Sequence, residues 1–287
     1  MRKNVWLLAG LVGVAACGGE EPNEAVEAIS AAEQSALIDL WSEDVPAFGV
    51  FVLSERERGA LGPDGERLPA LYTRSGGQRL AENPLLDYVF LNLEGRYELG
   101  AVTEIAAGLA SPTAVSKKTL LVRIPPISDA GEEVTRLRVA EALSAGADGI
   151  VLPHVRSPEE ARMAVSFFED IGADVWSPTN PSGTVIAMLM IEDAGALAAT
   201  REIADTPGYS VLACGIGSLS AALGDRAAGE AGNQEVLAHA QRVGLPDMIT
   251  ANGDDVAGRI EEGFLGLLMN GPEADQHIEV GRAAAGR

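Results

Sequence analysis

Eight short apolar segments, separated by longer stretches of helical composition, constrain the fold of this chain more than any other feature. The segments are apolar or rich in β-forming residues and the stretches between them are rich in Ala, Glu and Arg, which is the alternation of parallel βα units. The predicted strands are Phe48–Leu53, Asp87–Leu91, Thr119–Ile124, Gly149–Leu152, Thr184–Ile191, Tyr209–Cys214, Asp247–Thr250 and Phe264–Met269. A count of eight favours a (β/α)8 TIM barrel over a doubly wound sheet.

The barrel prediction also says where a functional site belongs. Loops that follow the carboxyl ends of the strands build the sites of such barrels, whereas the opposite loops serve stability. Residues directly after the predicted strands are therefore the candidates for chemistry. Asp148 precedes the fourth strand, so we expect it to have a structural role.

The first residues have the charge order of an export signal. Arg2 and Lys3 precede an apolar run over residues 5–16, which is too short to span a bilayer as a stable helix. The run ends in Val14-Ala15-Ala16-Cys17, which resembles the lipobox of bacterial lipoproteins, and a Gly-Gly-Glu-Glu-Pro stretch follows as a tether. We expect lipidation at Cys17; the alternative is an ordinary secretory signal with an incidental cysteine.

This interpretation predicts a protein of the bacterial cell envelope that faces the periplasm, anchored by lipid to the outer membrane. It divides the chain into a signal peptide (1–16), a lipidated tether with an amphipathic helix (17–45), a barrel (46–272) and a C-terminal tail (273–287). Lipidation uses one of the two cysteines, so Cys214 has no partner for an intramolecular disulfide. The helix, predicted within residues 24–41, is suited to closing the floor of the barrel.

The charge balance argues against one class of partner. The chain has 42 acidic and 21 basic residues and a formal net charge of -21, so a phosphate backbone repels it. We therefore expect no nucleic-acid partner. One connection, residues 54–84, is longer than a usual βα loop, and two interpretations stay open for it: a cover over the barrel mouth or a surface insertion without a role.

An ordered series of segments resembles the HpcH/HpaI aldolase family, whose members have a (β/α)8 barrel of the phosphoenolpyruvate/pyruvate type. The match between Ala145–Pro153 and the family's fourth strand, followed by the Ser-Pro-Glu-Glu-Ala exit, is the most specific. The other matching segments are Phe48–Phe51, Asp87–Gly95, Leu121–Pro125, Met190–Glu192 and Gly215–Gly224. Together they span most of the chain after the predicted tether.

The resemblance implies a reaction and a cofactor. Family members typically make or cleave a carbon–carbon bond in a 2-oxo acid and use a divalent metal, Mg²⁺ or Mn²⁺, to hold the substrate and stabilise its enolate. Two residues of this chain match the family's motif residues: Arg123, which faces substrate charge, and Glu192, which binds metal. The family commonly forms closed oligomers, so a homo-oligomer is also expected.

Other motif positions carry different residues here. Gly95 stands at the family's histidine, Asn92 at the aspartate that supports it, Ser218 at the second metal-binding carboxylate and Met190 at a glutamine. Ser218 weakens the expected metal site because it lacks a charge, and Gly95 cannot transfer a proton.

Two nearby residues are candidates to replace the lost groups. Glu94 and His154 follow the second and fourth strands and are our candidates for acid–base catalysis beside Arg123, although a lone histidine is more often a loop hydrogen-bonding residue. Asp193 and Asp225 are interpreted as helix-start carboxylates rather than ligands. For the substrate we assign Arg123 together with the turn that contains Gly215, Gly217 and Ser218.

The sequence thus supports two hypotheses of function. The first is a carbon–carbon lyase that acts on a pyruvate-type 2-oxo acid with a divalent metal at Glu192. The second, favoured by the replaced motif residues, is a non-catalytic envelope lipoprotein that binds a small carboxylate or a protein partner through the same cleft.

Overall fold

The computed structural model describes residues 35–287 of the chain. The predicted export signal, Cys17, the tether and the first part of the predicted amphipathic helix lie outside the described residues. None of the helices between residues 35 and 287 combines the length and the apolar composition that crossing a bilayer requires.

Eight parallel strands form a nearly closed barrel surrounded by helices, which confirms the predicted fold. The strands are β1 (Ala47–Phe51), β2 (Tyr88–Asn92), β3 (Thr119–Arg123), β4 (Gly149–Leu152), β5 (Ile186–Ile191), β6 (Val211–Cys214), β7 (Met248–Thr250) and β8 (Gly266–Met269). Hydrogen-bonded ladders run in the order β6-β5-β4-β3-β2-β1-β8-β7. Strands β6 and β7 pack side by side without a ladder among the described residues, so the ring is open at this one seam.

Helices follow the strands and cover the outside of the barrel. They are α1 (Ala36–Ser42), α2 (Arg74–Ala81), α3 (Leu99–Leu109), α4 (Ile127–Ala130), α5 (Glu132–Ser144), α6 (Pro158–Glu169), α7 (Ala194–Ala198), α8 (Thr200–Ala204), α9 (Ile216–Leu223), α10 (Arg226–Val243), α11 (Val256–Glu262) and α12 (Ala274–Ala284). The alternation of side chains along each strand separates two apolar layers, one inside the barrel and one between strands and helices.

Helix α1 closes the floor of the barrel, at the ends where the strands begin. Its buried residues Leu37, Ile38 and Trp41 join the apolar cluster of the barrel interior. The indole N–H of Trp41 donates to the carbonyl oxygen of Leu265 at 2.9 Å, and the Trp41 ring lies 6.2 Å from that of Trp176. The floor position expected for the predicted helix is thus found for its described part.

The long connection after β1 contains helix α2 and an exposed loop before it. Ser54 organises the loop: its hydroxyl oxygen accepts the backbone N–H groups of Arg56 (3.1 Å) and Leu71 (3.0 Å). The strand end, α2 and the segment after β8 border an open crevice of about 330 Å³. A cover over the barrel mouth stays a prediction for this loop.

The C-terminal region differs from the predicted tail. Residues 273–287 contain α12, whose Ile278 is fully buried and whose Gly281 lies against the ring of Phe48. Arg287, the last residue, forms an ion pair with Asp87 (2.8 Å) at the start of β2. The composition of this segment is rich in Ala, Gly and Arg, so its one buried face is not obvious from the sequence. That face is enough to pack α12 against β1 and to complete the outer layer of the barrel.

Candidate functional site

Four charged or polar side chains from consecutive strand ends meet at one rim of the barrel. Arg123 is the last residue of β3, and Glu192 directly follows β5. Glu94 and His154 stand two residues beyond the ends of β2 and β4. Because parallel strands finish at the same face, the register that pairs Asn92 with Arg123 brings these loops together.

Arg123 joins both glutamates through one nitrogen. Its Nη2 donates to Glu94 Oε1 at 2.8 Å and to Glu192 Oε1 and Oε2 at 3.0 and 2.9 Å. The side chain of Glu192 is only 1% exposed and that of Arg123 only 12%, so their charges are largely removed from water. A buried carboxylate requires such a partner, because an unpaired charge in the interior is costly.

His154 also contacts Glu192, in two ways. Its backbone N–H donates to Glu192 Oε2 at 3.0 Å, and its imidazole Nε2 lies 3.6 Å from the same oxygen. The Nε2 atom is 3.3 Å from Glu94 Oε1. His154 has a φ of 53°, in the left-handed region that is uncommon for residues other than glycine, and such backbone conformations are concentrated at functional sites.

A tight turn positions Glu94. The side-chain oxygen of Asn92, the last residue of β2, accepts the backbone N–H of Glu94 at 3.1 Å. This Asx-type turn reverses the chain as it leaves the strand and directs residue 94 toward the rim.

A cavity of about 240 Å³ opens beside these groups, at the carboxyl ends of β5, β6 and β7. Its polar lining includes Arg123, Glu192 and the turn that contains Gly215, Gly217 and Ser218. That turn begins α9, whose first backbone N–H groups have no partner within the helix. The structure therefore brings every described residue of the predicted site to one rim, with Glu94 and His154 at its edge.

Gly215 is the neighbour that leaves room for Glu192. A Cβ atom at position 215 would overlap the carboxylate of Glu192, whereas one at Gly217 would meet no heavy atom within 4 Å. The glycine at 215 is thus a requirement of packing, and the one at 217 is not.

Glu94, His154 and Glu192 form a group that has the geometry of a metal site. Each offers one ligand atom, and the three atoms lie within 4.8 Å of one another. Among residues 35–287 this is the only group of three or more His, Cys, Asp or Glu side chains placed closely enough to share a metal ion.

The three aspartates set aside in the sequence have structural roles. Asp193 caps α7 by accepting the N–H of Ala196 at 2.8 Å, and Asp225 caps α10. Asp148 accepts the N–H of Leu120 at 2.8 Å on the opposite, floor side of the barrel. The positions of Asp193 and Asp225 are therefore explained by helix capping, without a role in binding metal.

The apolar wall of the cavity was not identified from the sequence. Its members are inward-facing strand residues: Phe51, Phe90, Met188, Met190, Met248 and Leu268. The period-two alternation marks them as interior but does not separate cavity wall from filled core. Cys214 also lines the cavity, yet burial and the nearby carboxylates of Asp247 and Glu192 raise the pKa of its thiol, which disfavours a nucleophilic role.

Comparison with known families decides the membership of the chain. The model of the HpcH/HpaI aldolase/citrate lyase family matches residues 86–264, more than half of the sequence. The chain belongs to this family. The resemblance predicted from the sequence is thereby confirmed, and the matched region extends from before β2 to the residues before β8.

Solved structures of the HpcH/HpaI family have the same fold. A family member from Burkholderia cenocepacia shares 21% identity and a TM-score of 0.63, over 88% of this chain and 98% of that one. The HpcH/HpaI aldolase from Desulfitobacterium hafniense shares 20% identity and a TM-score of 0.61, over 83% and 91%. The citrate lyase β subunit from M. tuberculosis, solved with oxaloacetate and magnesium, shares 17% identity and a TM-score of 0.54, over 84% and 97%. No curated protein sequence matches the chain significantly.

The positions at which this HpcH/HpaI member departs from the motif lie at the same rim. Gly95 is exposed, with no heavy atom within 4 Å of the place a Cβ would take. Ser218, the third residue of α9, lines the same cavity as Arg123 and Glu192. The sequence resemblance assigns a proton-transfer group and a carboxylate to these two positions in the family, and this chain has neither group there, while the surrounding backbone keeps the barrel geometry.

Proposed function

We propose that the chain is a divalent-metal-dependent carbon–carbon lyase that acts on a small 2-oxo acid. Family membership supports the reaction class. The observation that carries the proposal is the contact of Arg123 with both Glu94 and Glu192 at the edge of the cavity. This contact supports the proposal because a cation and the carboxylate expected to bind metal both border one space that is open to a ligand.

The size and character of the cavity favour a small carboxylate with an apolar part. A space of about 240 Å³ is below the range of drug-sized ligands and is suited to a short-chain acid. One wall is apolar and the other contains Arg123 and the amino end of α9, where unpaired N–H groups attract an anion. This arrangement supports Gly215, Gly217 and Ser218 as binding residues for the acid group.

Arg123 retains hydrogen-bonding capacity after it has bound the two glutamates. Its Nε–H is buried and has no hydrogen-bond partner among the described residues. A buried unpaired donor is costly, and a ligand oxygen that accepts it removes this cost. Arg123 then stabilises the negative charge that develops on the substrate oxygen when a bond to the neighbouring carbon breaks.

The side chains present fit a divalent cation. Glu192 supplies an anionic oxygen. Glu94 and Glu192 carry two negative charges and Arg123 carries one positive charge, so the group has a net charge of about -1. A bound cation would offset this excess, which otherwise repels a carboxylate substrate, and would polarise the 2-oxo group as a Lewis acid. The magnesium and oxaloacetate of the M. tuberculosis citrate lyase β subunit are consistent with this chemistry.

A second candidate is a barrel that binds a carboxylate without turning it over. The absence of any side chain at Gly95 and of a carboxylate at Ser218 favours this alternative, because both replacements remove chemical groups but leave the cleft. Such a protein would use Arg123 for recognition only.

The two candidates are separated by assays of enolate formation. The purified chain is incubated with Mn²⁺ or Mg²⁺, and two rates are measured: decarboxylation of oxaloacetate above the metal-only rate and exchange of the pyruvate methyl protons in D₂O. We expect both to depend on metal and to fall by about 100-fold or more in Arg123→Met, the size of effect seen when one charge-stabilising donor is lost. Arg162→Met, which removes an exposed arginine of α6, is the matched control.

A specific result would reject the lyase proposal. If no metal supports either rate, but organic acids raise the melting temperature of the chain and not of Arg123→Met, the non-catalytic alternative is correct.

We further propose that the protein is tethered to the envelope through Cys17, as the lipobox-like sequence indicates. Helix α1, the first described element after this segment, lies at the floor of the barrel, whereas Arg123 and Glu192 lie at the opposite rim. Labelling with radioactive palmitate tests the tether: we expect incorporation in the natural chain and none in Cys17→Ser. Equal labelling of both would reject it.

A further inference from the structure

The three ligand atoms at the rim are spaced as neighbouring ligands of one small cation. His154 Nε2 lies 3.3 Å from Glu94 Oε1 and 3.6 Å from Glu192 Oε2. An ion about 2.1 Å from each atom separates adjacent ligands by roughly 3.0 Å in octahedral and about 3.4 Å in tetrahedral coordination. The two distances from His154 thus match adjacent ligands of one ion, and all three atoms lie within 4.8 Å of one another.

The charges of the rim are incompletely satisfied without such an ion. A single Nη2 group, which has two hydrogens, faces three carboxylate oxygens of Glu94 and Glu192. Each carboxylate can accept several hydrogen bonds, so both keep acceptor capacity beyond what Arg123 supplies. His154 is the remaining neighbour of these oxygens, and its Nε2 becomes a third ligand when its lone pair faces the same point.

The backbone holds His154 in this place at a cost. A left-handed conformation is strained for histidine, and glycine or asparagine would adopt it more readily. The hydrogen bond from its backbone N–H to Glu192 Oε2 keeps the imidazole beside that carboxylate. The position is thus fixed by Glu192 itself, which is the residue expected to bind metal.

The chemistry of the three donors selects the kind of cation. Mg²⁺ prefers oxygen ligands and water, whereas imidazole suits first-row transition metals. A set of one imidazole and two carboxylates accordingly favours Mn²⁺, Fe²⁺, Co²⁺ or Zn²⁺. Ser218, which lines the same cavity as Glu192, supplies no anionic ligand, so coordination positions stay open toward the cavity.

We propose that Glu94, His154 and Glu192 together bind a transition-metal ion, with His154 taking the place of the carboxylate that Ser218 lacks. This inference rests on the proposed lyase function for its biological purpose but is tested without it. It also gives Glu94 and His154 a ligand role in place of the acid–base role expected from the sequence.

Nitrogen coordination can be measured directly. We expect the electron spin-echo spectrum of Mn²⁺ bound to the purified full chain to show coupling to an imidazole nitrogen. In calorimetry, Mn²⁺ should bind more tightly than Mg²⁺, and His154→Asn should weaken Mn²⁺ binding by more than about tenfold and abolish the coupling, since even loss of an outer-shell partner costs about that much. Asparagine tolerates the left-handed backbone, so this variant is expected to fold.

Two further variants test whether the effect on Mn²⁺ binding is specific to the three proposed ligands. His277→Gln, which removes a histidine of α12, should leave affinity and coupling unchanged, and Glu94→Gln should weaken binding as His154→Asn does. Bound Mn²⁺ without nitrogen coupling, or equal affinity in wild type and His154→Asn, would overturn the inference. If the chain turns over substrate with Mg²⁺ but bound Mn²⁺ shows no nitrogen coupling, the three-ligand site is wrong and the lyase proposal stands. If the coupling is present but no metal supports turnover, the metal site stands and the lyase proposal is wrong.

Discussion

Gly215 and Glu192 are in such close contact that a methyl group on Gly215 would occupy the space of the Glu192 carboxylate. The α9 turn and the end of β5 are therefore matched: the turn can approach the carboxylate only because residue 215 has no side chain. This contact couples the substrate-side turn to the proposed metal ligand.

Gly215→Ala should consequently displace the Glu192 carboxylate from Arg123 and His154. We expect the affinity for Mn²⁺, measured by calorimetry, to fall by about tenfold or more, because a ligand is moved and not merely its outer-shell partner. Gly217→Ala, two residues further along the same turn and without a neighbour at that point, should keep the affinity of the natural chain. Equal losses in both variants would show that the turn as a whole, and not the contact with Glu192, matters.

Removal of the Arg123 side chain should destabilise the fold as well as the site. Arg123→Met leaves the almost fully buried Glu192 without its cation, which we expect to cost about 3–5 kcal/mol in the free energy of unfolding. The double variant Arg123→Met, Glu192→Gln should recover part of this loss because no buried charge is left unpaired. Urea denaturation in the presence of EDTA measures the free energy of unfolding of the single and the double variant. The control Arg162→Met, which breaks an exposed ion pair, should cost no more than about 1 kcal/mol.

Asp247, buried at the start of β7, should make the protein less stable as the pH rises. Burial raises the pKa of its carboxyl well above the usual value, so the folded protein keeps this proton to a higher pH than the unfolded chain, in which the group ionises near pH 4. Between these two pKa values unfolding releases a proton, and the free energy of unfolding falls with increasing pH.

Asp247→Asn removes this contribution. The melting temperature of the variant relative to the natural chain should increase as the pH rises above about 4, the direction that follows from a raised pKa in the folded state. Asp129→Asn, at an exposed position of α4, should show no such trend. A constant difference for Asp247→Asn across this range would contradict the prediction.

Trp41 should be essential to the barrel floor. Its truncation to alanine removes a side chain that is only 3% exposed together with its contact to Trp176, and we expect a loss of about 3–5 kcal/mol. Trp41→Phe keeps most of the ring but loses the N–H bond to Leu265, so its loss should be smaller, near 1–2 kcal/mol. Guanidinium denaturation followed by circular dichroism distinguishes the two values; equal losses would refute the packing argument.

The strand positions could be predicted from the sequence because each strand is a local apolar pattern. All eight strands occur where the pattern places them, although the boundaries of some differ. Val185 makes an isolated bridge with Val175 instead of extending β5, and β6 begins at Val211 and not at Tyr209, whose hydroxyl donates to the carbonyl oxygen of Ile203. Boundaries depend on neighbours that are distant in the sequence, which a local pattern does not contain.

The barrel, its family and the set of residues at one rim could be predicted from the sequence, since strand order and side-chain alternation are encoded locally and parallel strands end at a common face. How these residues meet became visible in the folded chain: one nitrogen of Arg123 binds both glutamates, His154 turns its imidazole toward them, and residues 273–287 contain a helix that packs against β1. These relationships depend on burial and on distances between segments that are far apart in the sequence, such as Asp87 and Arg287, which are separated by 200 positions. Neither is a property of any single segment.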